Sequence, residues 1–289
     1  MPDVPMQKQT ITLLISCPDQ PGIVAAVSQF IFEHHGNIVQ SDQYSTNRQA
    51  STFFMRISIS EEGFPLSQAE ITEQFRPIAQ RFHMQWVLYY SQQRKRAGIF
   101  VSRLDHCLTD LLWRWKSGEL AMEIPFIISN HPDAEPLARM YSIPYYHFPS
   151  RRETRQADQT RILEFIQGKV DFLVLARYMQ ILETFFVAEY PEQIINIHHS
   201  FLPAFIGANP YQQAFERGVK LIGATAHYVT DSLDEGPIIA QDVIHCDHRD
   251  SVEDLVRKGR DVERRVLAEA VRLHTEDRVL VYENKTIVF

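Results

Sequence analysis

Cysteine is scarce in this chain, whose 289 residues include three: Cys17, Cys107 and Cys246. An odd, widely spaced set of so few cysteines excludes a disulfide framework and is typical of free thiols in the cytoplasm. The chain also lacks any run of about 18 apolar residues, which excludes a membrane-spanning helix. Its N-terminal residues lack the charged-then-apolar order of a signal peptide. The sequence therefore predicts a cytoplasmic protein without a membrane partner.

An excess of basic residues is missing too. The formal net charge is -7, and acidic and basic residues are mixed along the chain. Because nucleic-acid-binding proteins carry a strong basic bias, we expect no nucleic-acid partner. One basic cluster, at 94–96, is interpreted as part of a solvated linker. With 45% hydrophobic and 22% charged residues, the chain can bury the cores of one large or two ordinary domains.

The first part of the chain, residues 8–90, predicts a small α/β domain. Ile23, Val27, Phe30 and Ile31 fall on one face of its first helix. Runs of β-branched and apolar residues predict its strands. The predicted order, βαββαβ, is that of a ferredoxin-like unit. The strands are predicted over 10–16, 37–44, 50–60 and 84–90, and the helices over 23–35 and 67–82.

The stretch CPDQPGIVAAVSQFIFEHHGNI, residues 17–38, resembles the ACT domain in its Asp-x-Pro-Gly-Ile-Val turn and its Gly-Asn-Ile exit. ACT domains sense small molecules and often bind an amino acid between two copies. The resemblance therefore implies an amino-acid effector and a homo-oligomer. The same turn also suits a ferredoxin-like domain that acts only as a dimer scaffold, and both interpretations of residues 8–90 stay open.

A polar segment, residues 91–97, is predicted to link this domain to a second one over 98–289. In the second domain, continuous apolar strands alternate with helices. Such strands are buried on both faces, so we predict a doubly wound α/β domain with a mostly parallel sheet. Ligands of such sheets bind beyond the carboxyl ends of the strands. The strands are predicted over 97–102, 124–129, 145–148, 170–176, 194–199, 221–229 and 237–244, and a long helix over 251–275.

The stretch INIHHSFLPAF, residues 195–205, carries polar side chains at the end of one such strand. Asn196 and His198 are two residues apart and therefore point to the same face. Further along, the loop DSLDEG, residues 231–236, offers carboxylates between two apolar strands. An amide, an imidazole and a carboxylate can stabilise an oxyanion and move a proton, whereas no Gly-x-Ser-x-Gly elbow supplies a nucleophile. These residues favour direct attack on an acyl carbon.

These motifs, together with LARYMQIL at 175–182 and HYVTDSLDEGP at 227–237, resemble the folate-dependent formyltransferase family. The resemblance implies a catalytic trio of Asn196, His198 and Asp234. It also implies that the segment 179–182 and the loop before Asp234 contact a folate substrate. The predicted substrate-binding residues are Met179, Gln180, Ile181, Leu182, His199, His227, Thr230 and Asp231.

Nucleotide-using members of that family carry a Gly-x-Gly-Ser-Asn turn after their first strand, and its backbone N–H groups hold a phosphate. The corresponding stretch here, GIFVSRLDHCLTDLL at 98–112, has no glycine after the strand. A phosphate would meet Ser102, Arg103, Leu104 and Asp105 instead. An amine acceptor loses its anchor, and water can take its place. An ACT domain joined to such a domain resembles the formyltetrahydrofolate deformylase family over nearly the full chain.

That resemblance implies hydrolysis of 10-formyltetrahydrofolate to formate and tetrahydrofolate by direct water attack. This reaction would feed formate to purine biosynthesis and balance the one-carbon folate pools. The alternative is formyl transfer to a small amine. No cofactor or metal is expected, because HCDH at 245–248 has metal-like spacing but no partner cluster. One departure from the family is Ser142, where glycine is expected.

In the expected mechanism, Asn196 and His198 hold the oxyanion, while Asp234 accepts the proton of the attacking water and helps deliver one to N10. His199 follows His198 directly, so on a strand it points the opposite way. We expect it to position water or to support the trio from behind. His227 either orients Asp234 or is a satisfied core histidine, and the residues do not decide between these.

Overall fold

The computed structural model describes residues 9–46, 50–151, 153–203 and 210–289. The chain divides into two compact units, one ending at Gln93 and the other spanning Arg94–Val288. Among the described residues, no helix is both long enough and apolar enough to span a membrane. All three cysteines are buried free thiols.

The predicted linker over 91–97 requires a correction, because strand β5 (Lys95–Val101) begins inside it. Two of its three basic residues, Lys95 and Arg96, are paired, whereas Arg94 is exposed. The Lys95 ammonium donates to the backbone carbonyl of His274, 2.6 Å away. The Arg96 guanidinium donates to the carboxylate of Asp171, 2.8 Å away. Charged residues were therefore interpreted as a linker, although the contacts of Lys95 and Arg96 stabilise the first residues of β5.

The first unit has the predicted βαββαβ order and forms a four-stranded antiparallel sheet. The sheet order is β2-β3-β1-β4. The predicted apolar face of the first helix, Ile23, Val27, Phe30 and Ile31, is buried, which confirms that prediction. The elements are β1 Thr10–Pro18, α1 Ile23–Glu33, β2 Ile38–Ser45, β3 Thr52–Ser60, α2 Gln68–Phe82 and β4 Gln85–Tyr90.

The second unit alternates strands with helices, as expected for an α/β domain. The short helix α6 was not predicted, because one apolar turn between two strands carries little periodicity. The elements after β5 are α3 His106–Ser117, β6 Met122–Ser129, α4 Glu135–Met140, β7 Tyr145–His147, α5 Arg155–Ile166, β8 Phe172–Ala176, α6 Thr184–Ala188, β9 Ile194–His198, α7 Pro210–Glu216, β10 Leu221–Tyr228, β11 Ile238–His245, α8 Val252–Thr275, β12 Val279–Tyr282 and β13 Lys285–Val288.

Seven strands of the second unit form one sheet in the order β11-β10-β9-β8-β5-β6-β7. The strands β9, β8, β5, β6 and β7 run parallel to one another. Strand β10 is antiparallel to both of its neighbours, β9 and β11. The prediction of a mostly parallel sheet is confirmed. The long helix α8 packs on β9, β10 and β11. The carboxyl ends of β5, β8 and β9 consequently lie side by side, which places the polar residues that follow them at one edge.

Candidate active site

A cavity of about 570 Å³ lies beside the carboxyl ends of β8 and β9. Its volume falls within the range of small-ligand pockets, roughly 300–1,000 Å³. Its wall includes each predicted catalytic or substrate-binding residue. These residues are Asn196, His198, Asp234, Met179, Gln180, Ile181, Leu182, Thr230, Asp231, His199 and His227.

Strand β9 presents two of these side chains to the cavity. Asn196 and His198 are alternate residues of the strand and share one face. On the neighbouring antiparallel strand β10, His227 is the register partner of Asn196. The pairing brings the Asn196 amide nitrogen to 3.3 Å from Nε2 of His227. Strand pairing thus explains why His227 lies beside Asn196, because cross-strand partners face the same side of the sheet.

The loop between β10 and β11 carries the third residue of the trio back to β9. Oδ2 of Asp234 lies 3.2 Å from Nδ1 of His198, and Oδ1 lies 3.7 Å from Nε2 of His227. The Asp234 backbone is left-handed, with φ 57°, a conformation that aspartate tolerates better than most residues. Gly236 completes the return, since a Cβ there would lie 1.8 Å from the carbonyl oxygen of Tyr228.

The Asp234 carboxylate is held in its ionised form. Burial raises its pKa, but the hydrogen bonds and charges of His198 and His227 outweigh burial and hold the pKa well below its usual range. Among the two contacts, the shorter one to His198 fixes the orientation of that imidazole. The result is an ionic pair in the wall of the cavity.

The hydrogen bonds assign the histidine tautomers. Nδ1 of His227 lies 2.9 Å from the backbone carbonyl of Tyr228 and therefore carries a proton. Nε2 of His227 lies 3.3 Å from the Asn196 amide nitrogen and 3.7 Å from the Asp234 carboxylate. Nδ1 of His198 faces the Asp234 carboxylate, so it also carries a proton. Its Nε2 is buried and has no hydrogen-bond partner within the described part of the chain, which leaves that atom for a substrate.

The segment Met179–Leu182 is held from behind by two side chains that sequence analysis assigned no such role. The Ser102 hydroxyl accepts from the Met179 N–H at 3.0 Å and donates to Asn130 at 2.7 Å. The buried Gln159 amide donates to the Ile181 carbonyl and accepts from the Glu183 N–H, both at 2.8 Å. Ser102, where a phosphate would have met this chain, orders the cavity wall instead. Nothing in the sequence around Gln159 indicates its function.

His199 lies just beyond the end of β9 and also lines the cavity. The expectation that it points away from His198 is therefore wrong, because the strand ends before the alternation applies. The two imidazole rings are 5.3 Å apart between centroids. Burial, with the charge of Arg177 as the next cause, lowers the pKa of His199 to about 4. His199 is therefore a neutral side chain near neutral pH.

Comparison with known proteins identifies the family to which the chain belongs. Residues 95–271 match the family described as Formyl transferase, and residues 11–75 match the ACT domain. A formyltetrahydrofolate deformylase of Synechocystis sp. is 53% identical over 285 residues, which cover 98% of this chain and 100% of that one. The crystal structure of a formyltetrahydrofolate deformylase from Pseudomonas syringae pv. tomato matches with a TM-score of 0.96 and 49% identity, over 99% of this chain and 96% of that one. The chain belongs to the formyltetrahydrofolate deformylase family.

The deformylase family shares its second unit with enzymes whose names specify an amine acceptor. A glycinamide ribonucleotide transformylase from Symbiobacterium toebii matches with a TM-score of 0.64 and 33% identity, over 70% of this chain and 97% of that one. The match to the deformylases includes the ACT unit, whereas the match to the transformylase covers a smaller share of the chain. The acceptor side of the cavity is therefore where the two kinds of enzyme should differ.

In this member of the deformylase family, a buried polar cluster lies behind the cavity. Its centre is Glu263 on α8, whose side chain is 1% exposed. One carboxylate oxygen lies 2.8 Å from Nε2 of His106, and the other accepts from the Tyr211 hydroxyl at 2.6 Å. Nε of Arg177 lies 3.4 Å from the first oxygen. Despite its burial, these partners lower the pKa of Glu263, so the carboxylate stays charged.

The donor set around Glu263 also brings together three possible metal ligands, His106, Cys107 and Glu263. Their chemistry does not suit a metal. Both Glu263 oxygens already have partners, and burial raises the pKa of the Cys107 thiol well above its usual range. Since zinc and related ions bind the thiolate, a protonated thiol is a poor ligand. The cluster is better explained as support for Arg177.

Proposed function

We propose that the chain hydrolyses 10-formyltetrahydrofolate to formate and tetrahydrofolate, with Asn196, His198 and Asp234 as the reacting side chains. The observation that carries this proposal is the His198–Asp234 pair in the cavity wall, in which the second imidazole nitrogen has no hydrogen-bond partner among the described residues. The relatives that match nearly the whole chain bear the name formyltetrahydrofolate deformylase. Formate so produced would feed purine biosynthesis and balance the one-carbon folate pools.

Substrate binding is proposed to use apolar side chains that are exposed in the cavity. Met179, Ile181 and Leu233 line it and are 58%, 50% and 60% exposed. Covering such side chains with the flat rings of a folate removes apolar surface from water, at about 25 cal/mol per Å². Polar contacts from Gln180 and from Thr230 and Asp231 would then orient the ring edge. The segment is held in place before substrate arrives, which limits the ordering cost of binding.

In the proposed chemistry, the formyl oxygen lies between the side chains of Asn196 and His198. An amide has two N–H donors, so Asn196 keeps one for the substrate after its contact with His227. Nδ1 of His198 contacts the Asp234 carboxylate, and we propose that its Nε2 side donates a hydrogen bond to the developing oxyanion. Asn196 and His198 together form an oxyanion hole that is in place before the reaction.

Water attacks the formyl carbon as its proton passes to Asp234. The hydrogen bonds and charges of His198 and His227 hold the pKa of Asp234 low. The basicity of Asp234 therefore rises as the His198 proton moves toward the oxyanion. Asp234 then delivers the proton to N10, the bond from the formyl carbon to N10 breaks, and formate leaves. N10 is attached to an aromatic ring that delocalises its lone pair, so it departs more readily than an alkyl amine. We propose that the reaction uses no metal or cofactor.

The test is formate release from 10-formyltetrahydrofolate by the purified full chain with no amine present. Stoichiometric formate and tetrahydrofolate are expected. If folate binds but no formate appears, and a small amine is converted to its N-formyl derivative with release of tetrahydrofolate, the hydrolase proposal is overturned and the formyltransferase alternative replaces it. The same assay without the protein measures spontaneous hydrolysis.

For the ACT unit, we propose two roles that the same preparation can separate. An amino-acid effector would change the rate of formate release when single amino acids are added. A dimer scaffold would leave the rate unchanged, while sedimentation would show a homo-oligomer in either case. The three buried free thiols fit a reducing compartment, and we propose that the enzyme acts in the cytoplasm.

A further inference from the structure

Arg177 occupies a backbone conformation that few bulky residues adopt. It follows β8 directly, its φ is 62°, and its side chain is 8% exposed. A non-glycine residue in the left-handed region is strained, and such strain gathers at functional sites where surrounding contacts hold it. A large cationic side chain is therefore fixed, against its backbone preference, in the wall of the cavity that holds the trio.

The guanidinium is held in place but not satisfied. Nε lies 3.4 Å from Glu263 Oε2, a distance and geometry that give an ion pair without a hydrogen bond. Nε and Nη1 are both buried and have no hydrogen-bond partner among the described residues. Buried donors are nearly always paired in folded proteins, because a buried donor without an acceptor costs free energy of folding. Donors left free in a cavity wall indicate a ligand that accepts hydrogen bonds.

The chemistry of the acceptor decides what can meet such donors. Water has two lone pairs, so it can accept a hydrogen bond from Arg177 with one and attack the formyl carbon with the other. A neutral amine has a single lone pair, and an amine that accepts a hydrogen bond with it is no longer a nucleophile. An ammonium ion has no lone pair and is repelled by the guanidinium. The neutral ring of His199 adds a hydrogen-bond acceptor for water in the same wall.

Two polar side chains at the neighbouring strand end are already engaged with other parts of the protein. After β5, the Ser102 hydroxyl is engaged with Met179 and Asn130. The His106 imidazole is engaged with Glu263. Both groups belong to the stretch where a nucleotide acceptor would need its phosphate held. The polar side chains on this side of the cavity thus support one another and Arg177.

We propose that Arg177, held by Glu263, is a specificity-determining residue that reserves the acceptor position of the cavity for water. The inference rests on the proposed function and names the feature that separates hydrolysis from transfer. With either acceptor, a bond to the formyl carbon forms, the bond from that carbon to N10 breaks, and a proton passes from the acceptor to N10. Only the first atom to attack differs.

The test is a partition experiment on the full chain with 10-formyltetrahydrofolate and rising concentrations of hydroxylamine or glycinamide. Formate and the N-formyl amine are measured together, and their ratio is the readout. The unaltered chain is expected to give formate with only a trace of N-formyl amine at every amine concentration. Arg177→Gly, which suits the left-handed backbone and opens the wall, is expected to raise the share of N-formyl amine by about tenfold or more, even as total turnover falls.

Two variants make the ratio interpretable. Glu192→Gly places glycine at another left-handed position, φ 57°, outside the cavity wall, and should leave the ratio unchanged. Arg177→Asn tolerates the same backbone and replaces Arg177→Gly if the latter does not fold. If a folded, folate-binding Arg177 variant keeps the ratio of the unaltered chain, the inference is wrong. If the unaltered chain releases no formate without amine, the proposed function itself has failed, which is a separate outcome.

Discussion

Nδ1 of His198 lies 3.2 Å from Oδ2 of Asp234 in a wall where both side chains are largely buried. The contact joins a strand end to a loop that arrives from the next strand, so the pair exists only in the folded chain. It fixes the imidazole tautomer and keeps the carboxylate ionised, and Nε2 of His198 has no hydrogen-bond partner in the part of the chain that the structure describes. One contact thereby sets the protonation states on which the proposed chemistry depends.

Asp234→Asn removes the charge of this pair while keeping its shape. Turnover is expected to fall by about 10²–10³, because His198 loses the charged partner of its Nδ1 and water loses its base. Binding of folate should persist, since the cavity wall is unchanged. Formate release and equilibrium binding are measured side by side. Glu235→Gln, at the adjacent exposed carboxylate, is the control, and near-normal turnover of Asp234→Asn would contradict the assigned role.

His199→Gln removes a buried titrating group. The folded pKa of His199 is lowered to about 4, below the ordinary value of 6.5. As pH falls from 6.5 toward 4, the unfolded chain binds a proton that the folded chain does not, so the free energy of unfolding decreases. His199→Gln should lack this share of the loss, about 1–2 kcal/mol between about pH 7 and pH 5. Urea unfolding at both pH values measures it, and His248→Gln, at an exposed histidine, is the matched control.

Gln159→Met fills the same space without the two hydrogen bonds to the folate-binding segment. The Ile181 carbonyl and the Glu183 N–H lose their partner, so the free energy of unfolding should fall by about 1–3 kcal/mol. The KM for the folate substrate should rise by about tenfold, since the segment is less well ordered before binding. Gln156→Met, on the exposed side of the same helix, should change neither quantity. An unchanged KM in a folded Gln159→Met chain would show that the segment orders itself.

Gly259→Ala tests the space that α8 leaves for Tyr211. A Cβ at Gly259 would lie 2.0 Å from the Tyr211 hydroxyl, so that ring must move away from Glu263. Alanine is the better helix former by about 1 kcal/mol, yet the lost packing and hydrogen bond should destabilise the chain by about 1–3 kcal/mol. In a chain that already carries Tyr211→Ala, the same substitution should be neutral or stabilising. Thermal unfolding of the four chains completes the cycle, and a destabilisation that persists without Tyr211 would point to another cause.

Ser142→Gly should stabilise the chain. Ser142 stands where the family resemblance implies glycine, and its φ is 59°. Relief of roughly 1–2 kcal/mol of backbone strain outweighs the roughly 0.5–1 kcal/mol of added entropy in the unfolded chain, for a net gain of up to about 1 kcal/mol. Denaturant unfolding measures the gain. Ser142→Ala, which keeps a Cβ, should give none.

Local patterns and family motifs predicted the fold and the residues around the cavity. Both kinds of signal depend on residues that are neighbours in sequence. Asn196 and His198 share a face by strand alternation, and the apolar face of α1 follows from helical spacing. The supports were missed because they act across the chain: Ser102 meets Met179 at a separation of 77 residues, and His106 meets Glu263 at 157. No local pattern marks such pairs. The linker was overextended for the same reason, since the partners of Lys95 lie at the far end of the chain.

The described residues that line the cavity all lie between Leu175 and Asp234, whereas the groups that hold them lie outside that span. In evolutionary terms, the reactive surface can be inherited or exchanged as one contiguous segment, but its supports cannot. A recombinant protein that receives this segment from a distant relative would keep the reacting groups. Those groups would stay in position only if Ser102, Gln159 and Glu263 also matched the new segment. Drift at those three positions would then separate lineages whose motifs still look alike.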